Sequence, residues 1–170
     1  MYTNPDQIIA NVDRFESCCT GKDSFKHQDH LVVAAFYLQQ LSLLDAIRRM
    51  RTNLLRFLDH HQVDRQKYNE TITVFWFELV ADLLNKLPPG SNLVEKCNAV
   101  VESLDNSALA FEYYSRERLF SDEARASFIA PDLKDWRCRD SNPTQNAETQ
   151  RSQRHREKLI LISNLLDLVQ

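Results

Sequence analysis

Two histidines three residues apart are the side chains in this sequence whose spacing most readily serves chemistry. They lie in Phe25-Lys26-His27-Gln28-Asp29-His30-Leu31. If this stretch opens a helix, residues at i and i+3 project to one side, as a helical pair of metal ligands does. A second polar cluster, Tyr68-Asn69-Glu70-Thr71-Ile72-Thr73, also reads as a helix start. Should the two helices lie side by side with the same ends together, Glu70 meets His27 and His30 in a two-histidine, one-carboxylate set. Several metal hydrolases and oxygenases hold a divalent metal with that ligand type. Tyr68 and Thr71 would then support a bound small molecule beside Glu70. The same residues have a plainer use, since histidines at helix starts often act as caps, and Asp29 and Glu70 suit positive dipole ends. His60-His61 stands at a helix end, where it either adds ligands or complements the negative terminus.

Other templates are excluded by their missing residues. The sequence has no His-Glu-x-x-His, no Cys-x-x-Cys, no Gly-x-Ser-x-Gly and no phosphate-binding glycine loop. No glutamate is followed three residues later by histidine, as a ferritin-like di-iron centre requires. No activating partner is evident for Cys97 or Cys138. The aromatics Phe36, Tyr37, Phe75, Trp76, Phe77, Tyr113 and Tyr114 either line a small-molecule pocket between helices or, as helical spacing more often means, fill the core.

The elements that must position these groups are helices. The chain holds only 2 glycines, Gly21 and Gly90, too few for the turns of a sheet protein. Asn4-Pro5-Asp6 is a helix start, and Ile8, Ile9, Val12, Phe15 and Cys19 share one face of a helix over 5–17. The second helix begins near Gln28; Leu31, Val32, Ala34, Ala35, Phe36 and Leu38 give it an apolar surface broad enough for a central position. Ser42 caps a third, with Leu44, Ile47, Met50, Leu54, Phe57, Leu58 and His61 on its stripe and Arg48, Arg49, Arg51 and Arg56 largely on the other side. A fourth runs from about Asn69 to Leu87 until Pro88-Pro89-Gly90 stops it, with Trp76, Leu79, Val80, Leu83 and Leu87 as its apolar contribution. Ser91 caps a fifth, carrying Leu93, Val94, Cys97, Val100, Val101 and Leu104. A further helix passes through Leu109, Phe111, Tyr113 and Tyr114, and Ser121 opens a short one that ends before Pro131.

The expectation is therefore an all-α bundle of five to six helices over 1–136. A polar linker follows over 137–150, and then a separate amphipathic C-terminal helix over 151–170. Residues 137–158 contain six Arg or Lys and three Asp or Glu, a local +3 in a chain of formal net charge −3. That balance does not favour nucleic acid. The apolar half of the last helix offers a surface for a second copy or a protein partner. A non-catalytic interaction module acting through 151–170 is thus the alternative to a metal or small-molecule site. No stretch approaches the roughly 18 apolar residues of a membrane span, and the start lacks the pattern of a secretory signal. With 4 cysteines, two of them adjacent and ill placed to bridge each other, the sequence reads as that of a cytoplasmic protein with reduced thiols.

Phe25-x-His27-x-Asp29-His30-Leu31-x-Val33-Ala34, Tyr68-x-Glu70-Thr71-x-Thr73, Tyr113-Tyr114 and Arg118-Leu119-Phe120-Ser121 together resemble a family of small bacterial helical proteins of uncharacterised activity. The resemblance extends from Phe25 to about Leu133. It implies a helical fold but no particular reaction. In that family a histidine is common where this chain has Asn69, a departure that weakens any metal site of which that position is part. The segment after Trp136 has no counterpart in the resemblance.

Overall fold

The computed structural model describes residues 1–136. The linker and C-terminal helix expected over 137–170, and the partner surface read into them, lie outside the described residues. Contacts group Met1–Lys134 into one unit, two residues short of the expected boundary at Trp136.

Its described residues are all-α, in five longer helices and two short ones: α1 Pro5–Glu16, α2 His27–Leu38, α3 Leu43–His60, α4 Glu70–Lys86, α5 Leu93–Leu104, α6 Arg116–Leu119 and α7 Asp122–Ala126. Two 3-10 segments, Arg65–Lys67 and Ser107–Glu112, join them. The second replaces the helix expected through Tyr114. Among the described residues no helix is long and apolar enough to cross a membrane.

The local signals act where their chemistry requires. The side chains of Asn4, Ser42, Asn69 and Ser121 accept backbone N–H bonds from the first turns of α1, α3, α4 and α7. Gly90, at φ +92°, turns the chain after Pro88-Pro89. Ser91 does not cap α5, because its hydroxyl donates instead to the carbonyl of Pro88 at 2.9 Å. Asn92 takes the role, its Oδ1 accepting from the Glu95 N–H while the Glu95 carboxylate accepts from the Asn92 N–H.

Helices α1 and α3 end without glycine. In α1 the Cys18 N–H reaches the Phe15 carbonyl and the Cys19 N–H the Arg14 carbonyl; in α3 Gln62 and Val63 repeat the pattern on Asp59 and Leu58. These are Schellman closures, whose penultimate residue must be left-handed. Cys18 at φ 57° and Gln62 at φ 54° occupy it.

Helix α2 is central, packing against α1, α3, α4 and α5. Leu31 to Ala35 and Tyr37 are all buried, as its broad apolar surface led one to expect. In α4 the burial is displaced from expectation. Phe75, Phe77, Thr71 and Thr73 are buried with Trp76 and Val80, while Leu79, Leu83 and Leu87 are only half-buried. Helix α4 touches α2, α3, α5 and α7, so its N-terminal half is enclosed on several sides and its C-terminal half on fewer. Ile9 and Cys19 are exposed, so the α1 face is narrower than the sequence pattern suggested.

The arginines of α3 do not simply face water. Arg49 binds Glu16 through Nε at 2.8 Å and Nη2 at 3.0 Å, and Arg56 reaches the Glu16 carbonyl oxygen. Glu16 also accepts from the buried Tyr37 hydroxyl at 2.5 Å, and Asn53 donates to that hydroxyl at 2.8 Å. Burial opposes ionisation of Glu16, but the bonds from Arg49 and Tyr37 outweigh it and hold the carboxyl below its ordinary range. Burial and the neighbouring Glu16 together raise the Tyr37 phenol. This network ties α1, α2 and α3 into one face.

Candidate functional site

His27 is the first residue of α2, and its Nε2 lies 3.1 Å from the carbonyl oxygen of Leu104, the last residue of α5. A carbonyl only accepts, so Nε2 carries the proton. The ring meets Trp76 of α4 edge-on at 4.4 Å between centroids. His27 thus joins the start of α2 to the end of α5 and the middle of α4.

One turn on, the His30 ring lies 4.3 Å from that of Phe25, which stacks on Phe15 at 4.4 Å. Among the described residues neither imidazole nitrogen of His30 has a hydrogen-bond partner. Burial first, and then the nearby His27, push its pKa from 6.5 down to about 4. It is neutral at physiological pH.

Glu70, the first residue of α4, faces a different set of groups. Its side chain is 6% exposed and binds the Arg51 guanidinium of α3 at both oxygens, Nε to Oε2 at 2.9 Å and Nη2 to Oε1. The Tyr68 hydroxyl donates to Oε2. Burial and the Glu70 charge raise the Tyr68 phenol, so it remains a donor. The Glu70 bond raises Arg51 as well, keeping the guanidinium charged. Among the described residues no three His, Cys, Asp or Glu side chains gather to hold a metal ion. The expected set of His27, His30 and Glu70 is therefore not assembled: the two histidines stand together, whereas both oxygens of Glu70 are engaged by Arg51 and Tyr68. Thr71 is also spent, its hydroxyl donating to the Ser127 carbonyl at 2.9 Å and accepting from the Ile129 N–H at 3.1 Å. It anchors the segment after α7.

What the two histidines border is a pocket of about 560 Å³. Helix α2 supplies His27, His30 and Ala34, and α3 supplies Met50, Leu54, Phe57 and Leu58. From α4 come Ile72, Thr73, Trp76 and Phe77, with Tyr68 and Asn69 just before it. Ser107, Ala110 and Phe111 of the second 3-10 segment and Leu119 and Phe120 around the end of α6 complete the wall, with Lys22, Phe25 and Lys67 from the loops. Tyr68 is thus at the pocket as expected, whereas Glu70 and Thr71 do not line it. Of the aromatics considered from sequence, Trp76 and Phe77 line it. Phe75, Tyr37, Tyr113 and Tyr114 are fully buried core, and the Tyr114 hydroxyl is bonded to the Ile129 carbonyl at 3.0 Å.

Asn69, absent from the sequence candidates, is a second structural pivot. Its Oδ1 caps α4 through the Ile72 N–H, and its Nδ2 donates to the Leu119 carbonyl at 2.7 Å. Among the described residues Cys18, Cys19 and Cys97 are free thiols, and burial pushes Cys97 up to about 12, away from the thiolate a nucleophile needs.

An imidazole pushed to about 4 is a weak base, and a phenol held on a carboxylate beside Arg51 is a positioned donor. Comparison of the chain with protein-family models, with curated proteins and with solved structures finds no match in any of the three.

Proposed function

We propose that this protein binds a small organic molecule in the pocket between α2, α3 and α4. The observation that carries the reading is the pocket's make-up. It is a concavity within the size range of ligand sites, largely apolar, with the unpaired neutral imidazole of His30 among its walls. His30 is half-buried at the pocket wall with no hydrogen-bond partner among the described residues, so a ligand group that shares a hydrogen bond with it adds an interaction the protein does not itself supply. In this reading His27 and Tyr68 have fixed orientations, set by Leu104 and by the Arg51–Glu70 pair, and so present a preorganised wall.

The test is a titration of the full-length protein with octan-1-ol, following the imidazole signals of His30 and the indole N–H of Trp76 by NMR. Saturable shifts at both, lost in a folded Ile72→Trp variant that fills the pocket, support the reading. Shifts that are linear in alcohol, or that persist in Ile72→Trp, contradict it.

A further inference from the structure

The pocket carries charge of one sign. Lys22 and Lys67 are among its lining residues, and no Asp or Glu is. That is a local departure in a chain with 24 acidic and 21 basic residues. The two lysines are exposed, whereas Met50, Phe57, Trp76 and Phe77 are buried, so the charge lies at the mouth and the apolar surface on the floor. Among the described residues neither ammonium has an ion-pair or hydrogen-bond partner, so both are free to meet an anion at the pocket. The buried carboxylate nearest in sequence to Lys67, Glu70, is engaged by Arg51 and lies outside the lining.

From this we infer that the ligand is a small amphipathic anion, its apolar body on the Met50/Phe57/Trp76/Phe77 floor and its anionic head at the mouth bearing Lys22 and Lys67. The inference rests on the reading of the pocket as a ligand site. It adds the class of ligand. The apolar body supplies affinity by leaving water, and the head supplies orientation, because a charge placed on the floor would be desolvated with no partner. A cationic amphiphile of the same length meets like charge at the mouth, and a neutral one forgoes the attraction.

Calorimetry on the full-length protein with octanoate, octan-1-ol and octylammonium separates the possibilities. Octanoate is expected to bind about tenfold or more tighter than octan-1-ol, with octylammonium weakest, and the preference is expected to shrink as salt is raised. The Lys22→Met/Lys67→Met variant should lose the preference for octanoate while keeping its affinity for octan-1-ol, which also shows that it is folded. Equal binding of octanoate and octan-1-ol, or a preference that survives the double variant, overturns the anionic assignment and leaves the pocket reading standing. Absence of binding by all three probes overturns both.

Discussion

His30 links the site to the pH dependence of the whole fold. Its pKa is lowered from 6.5 to about 4 by burial and by His27, so the unfolded chain binds a proton that the native chain does not between those values. Stability from this residue is complete above pH 6.5, falls as pH drops through the window, and levels off below about 4. The loss amounts to about 3 kcal/mol over the window. Urea unfolding from pH 7 to pH 4.5 should therefore show a shallower decline in His30→Gln than in the native sequence; parallel declines would mean that His30 titrates normally in the fold. Arg51 and Glu70 make an asymmetric pair, with side chains 42% and 6% exposed. Arg51→Met leaves a buried carboxylate without its cation and is expected to cost about 3–5 kcal/mol. Glu70→Gln, which leaves a guanidinium able to reach water, should cost less, about 1–3 kcal/mol. Equal losses in chemical denaturation would contradict that difference in burial. The sequence made His27, His30, Tyr68 and Glu70 conspicuous because polar residues at helix starts stand out against apolar periodicity. It did not reveal that Glu70 belongs to Arg51. That pairing depends on how α3 and α4 rotate against each other, and Arg51 looked like one more residue of a solvated arginine face.

The helices themselves were largely legible, because proline, asparagine and serine at their starts act through local hydrogen bonds that neighbouring residues determine. Boundaries for α1, α3 and α4 fall within about a residue or two of expectation. The misplacements have local causes too. Ser91 and Asn92 are both competent caps, and the choice went to Asn92 because the proline turn claimed the Ser91 hydroxyl. Asn92→Ala should accordingly cost about 1 kcal/mol, and Ser91→Ala distinctly less, in thermal unfolding; the reverse order would restore Ser91 as the cap. The Schellman ends of α1 and α3 were not legible, because glycine is their usual mark and Cys18 and Gln62 stand there instead. Gln62 is exposed, so Gln62→Gly relieves the left-handed conformation with little packing to lose. It is expected to raise stability by about 1 kcal/mol. No gain on substitution would mean that the unfolded-state entropy of glycine cancels the relief.

At the scale of the molecule, a central α2 surrounded by four helices leaves its N-terminal turn as the place where the polar groups of several elements meet. His27 ties α5 to that turn, Asn69 ties α4 to the end of α6, and Thr71 ties α4 to the segment after α7. The pocket lies where these ties leave a gap between α2, α3 and α4. Its all-α frame was readable from composition and periodicity, but the pocket was not, since a concavity is a property of side chains from distant segments and has no local signature. The most direct measurement is anomalous diffraction at the bromine edge from crystals of the full-length protein grown with 8-bromooctanoate. A bromine peak is expected over the Met50, Trp76 and Phe77 floor, with the carboxylate directed to the mouth. Bromine bound elsewhere on the surface, with the pocket closed by its own side chains, would contradict it.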